Sequence, residues 1–219
     1  MSPLPSLSLM SQRTDSTLYR GAAAENLARP LALQHPKNFQ GKRHDFLPFR
    51  RYGLWRITEG YVRTYTYTPE DELVPLGFWS AGDLFGYPTV QTYPYQVECL
   101  TSVSAEYLDR SYSVPKEAVL AQAVQTGDLL RISHCRQSEL RLLQFVCWLA
   151  IRFGLASSKG RYIQIRLTHQ EIADAIGMTR VTVTRLLKKL ERENKLHWSP
   201  KEKVVYNVTL KQASISTHL

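Results

Sequence analysis

The chain has 219 residues, of which 43% are hydrophobic and 21% are charged, and its formal net charge is +9. This is the composition of an ordinary globular protein with one large or two small domains. No apolar run is long enough to span a membrane, and the first ten residues contain two prolines and no basic segment, so we predict a cytoplasmic protein without a signal peptide or a membrane partner.

Two N-terminal segments carry no functional motif. Residues 1–16 are rich in Ser and Pro and lack periodicity, so we predict a flexible tail. Residues 17–34 favour a short helix that ends near Pro30.

A β domain is predicted within residues 17–115. From Phe46 to Leu108 the sequence consists of short β-branched and aromatic runs that are separated by turn residues. Two sets of side chains alternate from Tyr61 to Thr68, as expected for a strand. Six to eight strands at this regular spacing predict a sandwich or jelly roll, which we interpret as a β-roll sensor-like domain.

The pattern becomes helical in residues 116–154. No Pro or Gly lies between Gly127 and Gly154, and at 1.5 Å per residue an uninterrupted helix would extend on the order of 40 Å. Its apolar residues form more than one stripe, so the segment can contact both the β domain and a second copy of itself. We interpret this segment as a dimerisation helix region, and burial within a monomer is the alternative.

The last predicted domain, residues 155–219, holds most of the positive charge. It has 12 Lys and Arg against 5 Asp and Glu, whereas residues 1–154 have 16 against 14. Residues 155–166 predict a loop and a strand. Basic side chains release counterions from phosphates, so a basic segment that coincides with a DNA-binding motif is typical of a DNA-binding domain.

Such a motif runs from Leu167 to Asn194, where two helical patterns are joined by a short break. Thr168 and Glu171 have the spacing of a capping box, in which each side chain accepts a hydrogen bond from a backbone N–H of the first turn. Gly177 stands where the chain leaves the first helix, at a left-handed position, and Thr179 is the predicted N-cap of the second helix. The segment is therefore predicted to be a helix-turn-helix.

The two helices have distinct inner and outer faces. The apolar positions that can meet in the core are Ile172, Ala173, Ile176, Val183, Leu186, Leu187 and Leu190. The positions left outside on the second helix are Arg180, Val181, Thr184, Arg185 and Lys188. This outer face suits the DNA major groove, where Arg bonds to guanine O6 and N7 and a small apolar side chain touches a thymine methyl. A solvated basic helix face is the alternative.

A β-hairpin wing is predicted after the helix-turn-helix. The runs KLHWS and KVVYNV flank a turn from Pro200 to Glu202. Lys201 and Lys203 of this hairpin can reach DNA phosphates. The C-terminal domain is therefore predicted to be a winged helix.

With these elements in order, the chain resembles the CRP/FNR superfamily of bacterial transcription regulators over roughly residues 46–210. The resemblance is strongest in LTHQEIADAIGMTRVTVTRLLKKLE, and TRVTVTRLL is especially similar to the recognition helix of the cyanobacterial global nitrogen regulator branch. In the β domain, LWRITEGYVRTYT and the turn formed by Gly82, Asp83, Phe85 and Gly86 resemble the family's strand pair and GDxFG turn.

The resemblance implies an α+β homodimer with an N-terminal β-roll (jelly-roll) domain, a long dimerisation helix and a C-terminal winged helix-turn-helix. Such a protein is expected to bind double-stranded DNA and to recruit or obstruct RNA polymerase. It further implies base contacts from Arg180 and Arg185 and phosphate contacts from Thr168, Gln170, Thr179 and Thr182. The complete set of predicted DNA-binding residues is Thr168, His169, Gln170, Thr179, Arg180, Val181, Thr182, Thr184, Arg185 and Lys188. No catalytic residue and no metal ligand is predicted.

One departure from the family concerns DNA specificity. Many members have a Glu directly after the first recognition Arg, and that Glu accepts a hydrogen bond from cytosine N4, whereas this chain has Val181. Valine cannot accept a hydrogen bond, but it can pack on a thymine methyl. We predict GTA-type half-sites rather than GTGA, in an inverted repeat with centres about 34 Å apart.

A second departure concerns the effector. Cyclic-nucleotide binders of the family carry a Gly-Glu pair after the GDxFG turn and an Arg further along. Here Tyr87 stands at the Glu position, and the stretch PTVQTYPYQVECL that follows contains no Arg. Cyclic AMP is therefore not expected to bind, and the same absence weakens a 2-oxoglutarate site. We interpret the many aromatic residues of this region as core filling, with an apolar or aromatic ligand pocket as the alternative.

The three cysteines, Cys99, Cys135 and Cys147, support no cofactor. They lack zinc-ligand spacing and are too few for an FNR-type iron–sulfur cluster. We interpret them as small buried side chains, with a redox-sensing thiol as the alternative. No pattern supports haem ligation by Cys99, His134 or His169.

Two other functional classes are weighed against a sequence-specific regulator. A cupin-like metal enzyme needs several His ligands on neighbouring strands, and no His lies between Phe46 and Leu108. A non-specific nucleoid-associated DNA-binding protein would share the basic helix-turn-helix but would bind random and palindromic duplexes alike.

Overall fold

The computed structural model of the chain describes residues 38–48, 54–86, 94–109, 111–207 and 209–210. The predicted tail and the short helix of residues 17–34 lie outside the described residues, as does Tyr87. The α+β fold class is confirmed: a β domain is followed by two helices and a C-terminal winged helix-turn-helix. None of the helices in these ranges has the length and apolar character that a membrane crossing requires.

The β domain is a sandwich of two antiparallel sheets. Its strands within the described residues are β1 (Asn38–Gly41), β2 (Leu54–Glu59), β3 (Tyr61–Tyr67), β4 (Leu73–Ser80), β5 (Leu84–Gly86), β6 (Gln96–Cys99) and β7 (Val103–Leu108). The strand orders are β1-β7-β2-β5 and β4-β3-β6. Trp55 and Ile57 of the first sheet share one core with Val62 and Trp79 of the second. Strands β2 to β7 fall between Phe46 and Leu108, in agreement with the predicted number.

Strand β3 departs from strict alternation. Its pairing with β4 shifts register between Thr64 and Tyr65, which is a β-bulge. As a result the consecutive residues from Thr64 to Thr66 are all buried. The large aromatic side chains Phe78 and Phe85 are at most 1% exposed, so they fill the core as the sequence analysis interprets them.

Two helices, α1 (Lys116–Ser133) and α2 (Ser138–Phe153), replace the single helix predicted from Gly127 to Gly154, and that prediction is wrong. Helix α1 closes with a tight last turn, in which His134 N donates to Leu130 O at 3.1 Å and Cys135 N donates to Ile132 O at 3.1 Å. The Ser133 hydroxyl donates to Leu130 O at 2.9 Å, and His134 Nδ1 lies 3.0 Å from the same oxygen. Arg141 Nε then donates to Cys135 O at 2.8 Å and holds the connection in its turned conformation.

Helix α1 has two apolar faces. Leu129 and Ile132 are buried towards the rest of the chain. Gln125 is also buried, and its Oε1 accepts a hydrogen bond from Phe78 N at 2.8 Å. On the other side Leu120, Val124 and Leu130 are between 56% and 64% exposed, with the exposed Gly127 between them.

The C-terminal domain is a winged helix. Its elements are β8 (Gly154–Ala156), β9 (Gly160–Ile163), α3 (His169–Ile176), α4 (Arg180–Arg192), β10 (Leu196–Trp198) and β11 (Lys203–Tyr206). The strands form one antiparallel sheet in the order β10-β11-β9-β8, and β10 and β11 pair as the predicted wing.

Helix α2 packs into the core of this domain. Phe145 and Leu149 lie in the same buried cluster as Ile172, Leu187 and Val205. The cluster therefore crosses the predicted boundary between residues 154 and 155, and we describe α2 together with the winged helix. Phe78 and Leu100 of the β domain belong to the same cluster, so the core is continuous between the two domains.

Candidate nucleic-acid interface

Helix α3 begins at a complete capping box, as predicted. Glu171 N donates to Thr168 Oγ1 at 3.1 Å, and Thr168 N donates to Glu171 Oε2 at 2.5 Å. Two backbone N–H groups that would lack a helical partner are therefore satisfied, which stabilises the start of the helix by about 1 kcal/mol.

The turn between α3 and α4 also has the predicted chemistry. Gly177 has φ 60° and ψ 52°, which is a left-handed conformation. A residue with a Cβ atom would adopt this conformation only at a cost in free energy. Thr179 is the N-cap of α4, and its Oγ1 accepts a hydrogen bond from Thr182 N at 3.2 Å. These local interactions set the angle at which α4 leaves the turn.

The inner faces of the two helices pack as predicted. All of the apolar positions assigned to the core are at most 5% exposed: Ile172, Ala173, Ile176, Val183, Leu186, Leu187 and Leu190. Complete burial of one such Leu or Ile contributes about 1.5–3 kcal/mol. The helix-turn-helix is therefore held together by its own core, and the residues of its outer face are not needed for its folding.

The outer face of α4 is basic, exposed and without anionic partners. Arg180, Arg185 and Lys188 are exposed, and none of them forms an ion pair within the described part of the chain. Val181, between these cations, is 76% exposed. Lys189 lies outside this face and pairs instead with Glu139 and Glu193. The three cations that the sequence analysis assigns to DNA on this face are therefore all without anionic partners among the described residues.

His169 and Thr184 connect the two helices at the edge of this face. His169 Nδ1 lies 2.8 Å from Thr184 Oγ1, and that hydroxyl donates to Arg180 O at 2.9 Å. Because the hydroxyl proton is directed to the carbonyl, Nδ1 must donate to Thr184 Oγ1. The other ring nitrogen, Nε2, is then an acceptor in the neutral ring and a donor only in the protonated ring.

The charged surroundings of His169 oppose its protonation. Burial lowers its pKa, and the nearby cations Arg180, Lys203 and Lys188 lower it further. An anion next to these groups would raise the pKa of His169 again.

The remaining predicted polar residues lie at the two helix starts. Gln170 is exposed, and its Nε2 donates to Asp174 Oδ1 at 2.6 Å. Thr179 and Thr182 share a hydrogen bond of 2.9 Å between their hydroxyl oxygens. Thr168, Gln170 and Thr179 are exposed at the amino ends of α3 and α4, where unpaired N–H groups favour anions.

A cleft of about 580 Å³ separates the start of α3 from the wing. It is lined by Leu167, Thr168, His169, Gln170, Arg180, Trp198, Ser199, Pro200 and Lys203. The structure therefore brings four of the predicted DNA-binding residues into one concave surface with a lysine of the wing.

Lys203 occupies an unexpected position in this cleft. The sequence analysis predicts that this wing lysine can reach a DNA phosphate; the residue is only 7% exposed, and its Nζ lies 5.5 Å from the centre of the Trp198 ring. Burial lowers its pKa, and Arg166 and Arg43 lower it further. No carboxylate of the described residues pairs with it. The sequence could not have shown that Lys203 is buried in the cleft, because β-strand alternation does not reveal which strand faces a cleft.

Comparisons with known proteins place the helix-turn-helix in a wider context. The profile of the Crp-like helix-turn-helix domain matches residues 140–207. The regulatory protein CysR of Synechococcus elongatus is 36% identical over 147 residues, which cover 66% of this chain and 71% of CysR. The global nitrogen regulator of the same species is 38% identical over 104 residues, covering 44% of this chain and 46% of the regulator.

Solved structures share the fold. A transcriptional regulator of the CRP family from Thermus thermophilus has a TM-score of 0.61 and 21% identity, and the match covers 83% of this chain and 97% of that protein. FixK2 from Bradyrhizobium japonicum has a TM-score of 0.65 and 17% identity, covering 81% and 95%. At these identities the likeness is one of fold.

Proposed function

This chain belongs to the CRP/FNR family of DNA-binding transcription regulators, and we propose that it acts as a homodimer on an inverted-repeat operator. The observation that carries the proposal is the outer face of α4, where Arg180, Arg185 and Lys188 are exposed and lack anionic partners among the described residues. A solvent-facing helix of a stable domain commonly pairs such charges, as Lys189 does on this same helix.

Base recognition is assigned to residues that project from the exposed side of α4. Arg180 and Arg185 can each bond bidentately to guanine O6 and N7, and Val181 can contact a thymine methyl. Since Val181 has no acceptor for cytosine N4, GTA-type half-sites are favoured over GTGA. Thr184 and Lys188 complete the surface that follows the groove.

Phosphate contacts are assigned to the cleft and the two helix starts. Thr168, Gln170, Thr179 and Thr182 offer side-chain donors beside the amino ends of α3 and α4. The buried Lys203 supports this assignment, because a cation that is surrounded by other cations gains free energy when an anion enters the cleft. A phosphate of the DNA backbone has the required charge.

The exposed apolar face of α1 supports a homodimer. Leu120, Val124, Gly127 and Leu130 recur on one side of the helix, and large apolar residues on a monomer's surface mark an interaction site. Two parallel copies of α1 would bury this face and place the two recognition helices one turn of DNA apart, about 34 Å. RNA polymerase is the proposed partner of the DNA-bound dimer.

We also propose that cyclic AMP is not the effector of this protein. Tyr87 stands where such a ligand needs a Glu, and residues 88–100 contain no Arg. Added cyclic AMP should leave DNA affinity unchanged, and a saturable stimulation at micromolar nucleotide would contradict this part of the proposal.

Selection of duplexes from a random pool tests the proposed function directly. We expect an inverted repeat of GTA-type half-sites to emerge. Replacement of Arg185 by Ala should then weaken binding to the selected operator by about 1–3 kcal/mol and binding to random DNA much less. Equal losses on both duplexes, or a selection without a repeat, would indicate a non-specific nucleoid-associated protein instead.

A further inference from the structure

A set of buried and partly buried charges joins the β domain to α3. Arg43, which follows β1, donates from Nη2 to both carboxylate oxygens of Glu171 at 2.7 and 2.8 Å. Its Nη1 donates to Leu100 O at 2.6 Å and to Arg166 O at 2.8 Å. One guanidinium therefore contacts the β domain, the segment between β9 and α3, and α3 itself.

A second guanidinium makes a parallel connection. Arg63 of β3 pairs with Glu98 of β6 at 2.8 Å and with Asp174 of α3 at 3.2 Å. Glu98 also lies 2.9 Å from His44 Nδ1. Burial alone would lower the pKa of Arg63, but the carboxylates Glu98 and Asp174 outweigh it and raise the pKa, so the group stays charged.

These contacts hold α3 at two points of one face. Glu171 and Asp174 are three residues apart, so they lie one above the other on the helix surface. The side chains of Arg63 and Asp174 are 13% and 21% exposed, and Arg43 is 31% exposed beside the 4% exposed Glu171, so solvent screens the Arg63 pair less than the Arg43 pair. Two attachment points define the direction of a helix axis as well as its position.

The attached arrangement leaves the recognition face open. Helix α4 is joined to α3 through their shared apolar core, and its Val181 is 76% exposed while α3 is attached. The ion pairs therefore hold the helix-turn-helix in an orientation that can meet DNA. Buried ion pairs add little net stability compared with apolar packing, but they discriminate between alternative arrangements.

We propose that Arg43 and Arg63 are positioning residues, which set the orientation of the helix-turn-helix relative to the β domain and thereby the spacing of half-sites that the dimer accepts. This inference rests on the proposed function, since spacing has a meaning only for a dimer on a repeat. Neither arginine is among the residues that we propose to contact DNA. Their effect on binding is transmitted through α3 to the recognition helix.

The test uses two substitutions that remove charges of opposite sign. Arg43→Gln removes the cation, and Glu171→Gln removes the anion while keeping a residue that can complete the capping box. Glu106→Gln is the matched control, because Glu106 pairs with Arg56 at 2.8 Å within the β domain alone. Thermal unfolding midpoints verify that each variant is folded.

Dissociation constants are measured for each protein on three duplexes: the selected operator, the same operator with the spacer lengthened by two base pairs, and a single half-site. We expect the wild-type chain to bind the selected operator more tightly than the lengthened one. The ratio of these two dissociation constants should fall by at least about fivefold in both Arg43→Gln and Glu171→Gln. Absolute affinities should shift in opposite directions, because one variant loses a positive charge and the other a negative one. The control should keep the wild-type ratio.

The outcomes separate this inference from the proposed function. If the wild-type chain shows no spacer preference, both are overturned. If it shows a preference that Arg43→Gln and Glu171→Gln retain, only the inference is overturned. An equal loss in the Glu106→Gln control would mean that general loosening of the β domain, rather than the attachment of α3, changes the ratio.

Discussion

The two sides of the helix-turn-helix carry similar charged residues but use them differently. On the side facing the β domain, Arg43, Arg63, Glu171 and Asp174 are all paired within the chain. On the recognition face, Arg180, Arg185 and Lys188 have no ion pair with any described residue. Pairing within the chain, rather than the number of charges, therefore distinguishes the side that packs on the β domain from the recognition face.

The largest effect is expected from removing a paired charge. Arg63→Ala would leave the buried Glu98 without its guanidinium and should lower the free energy of unfolding by about 3–5 kcal/mol. Arg185→Ala should change it by less than about 0.5 kcal/mol, because that side chain is exposed and unpaired. Chemical denaturation of both variants provides the measurement, and similar losses would remove the distinction between the two sides.

A new anion on the recognition face should change specificity rather than stability. Val181→Glu supplies an acceptor for cytosine N4 and should shift the preference at the facing base pair from T·A to C·G by about 1–3 kcal/mol. Competition between duplexes that differ at this pair measures the shift. Val181→Ala is the control and should retain a weakened thymine preference. An unchanged preference in Val181→Glu would show that residue 181 does not face a base.

A variant of Lys203 tests whether a buried cation without an ion pair contacts DNA, as proposed for the exposed cations of the recognition face. Lys203→Met keeps the volume and removes the charge, so folding stability should stay equal or rise. The slope of log K against log salt for DNA binding should decrease by about 0.9, the effect of one phosphate contact. Lys116→Met at the exposed start of α1 serves as the control and should leave the slope unchanged. A wild-type slope in Lys203→Met would remove the cleft from the DNA interface.

The smallest expected effect is a pH dependence of DNA binding. The pKa of His169 is lowered in the free protein by burial and by Arg180, Lys203 and Lys188, and a phosphate in the cleft should raise it. Affinity should therefore increase as pH falls through the pKa of the complex and reach its full gain below the pKa of the free protein. The gain stays under about tenfold for a pKa difference below one unit.

Binding curves from about pH 5 to about pH 8 measure this dependence, and His169→Gln is the reference that retains all other titrating groups. The wild-type chain should gain affinity relative to His169→Gln at the acidic end. Parallel pH profiles for the two proteins would mean that the ring nitrogen Nε2 does not receive a phosphate.

The helix-turn-helix could be predicted from sequence because its determinants are local. The capping box joins Thr168 to Glu171, and Gly177 acts through its own backbone conformation. The inner face follows from the helical period, so residues as far apart as Ile172 and Leu190 could be assigned to the core without knowledge of the rest of the chain. The β-strands between Phe46 and Leu108 could be counted for the same reason.

Other features depend on contacts that no local pattern contains. Arg43 and Glu171 are 128 residues apart, and Arg43 precedes the segment that resembles the family. The break between α1 and α2 contains neither Pro nor Gly. It is held by Arg141, whose Nε donates to Cys135 O and whose Nη1 donates to a backbone oxygen at the end of α3. The burial of Lys203 depends on where the wing lies relative to α3. In each case tertiary structure overrides the expectation from composition.

In the proposed homodimer, Gly127 in the middle of α1 would link the stability of one chain to the amount of protein present. A Cβ atom built there meets no described atom within 4 Å, so a single chain has no need of glycine, although glycine within a helix costs about 1 kcal/mol relative to alanine. Close approach of a second α1 would recover that cost. By mass action, Gly127→Ala should then raise the unfolding temperature in dilute solution and lose this advantage as concentration rises.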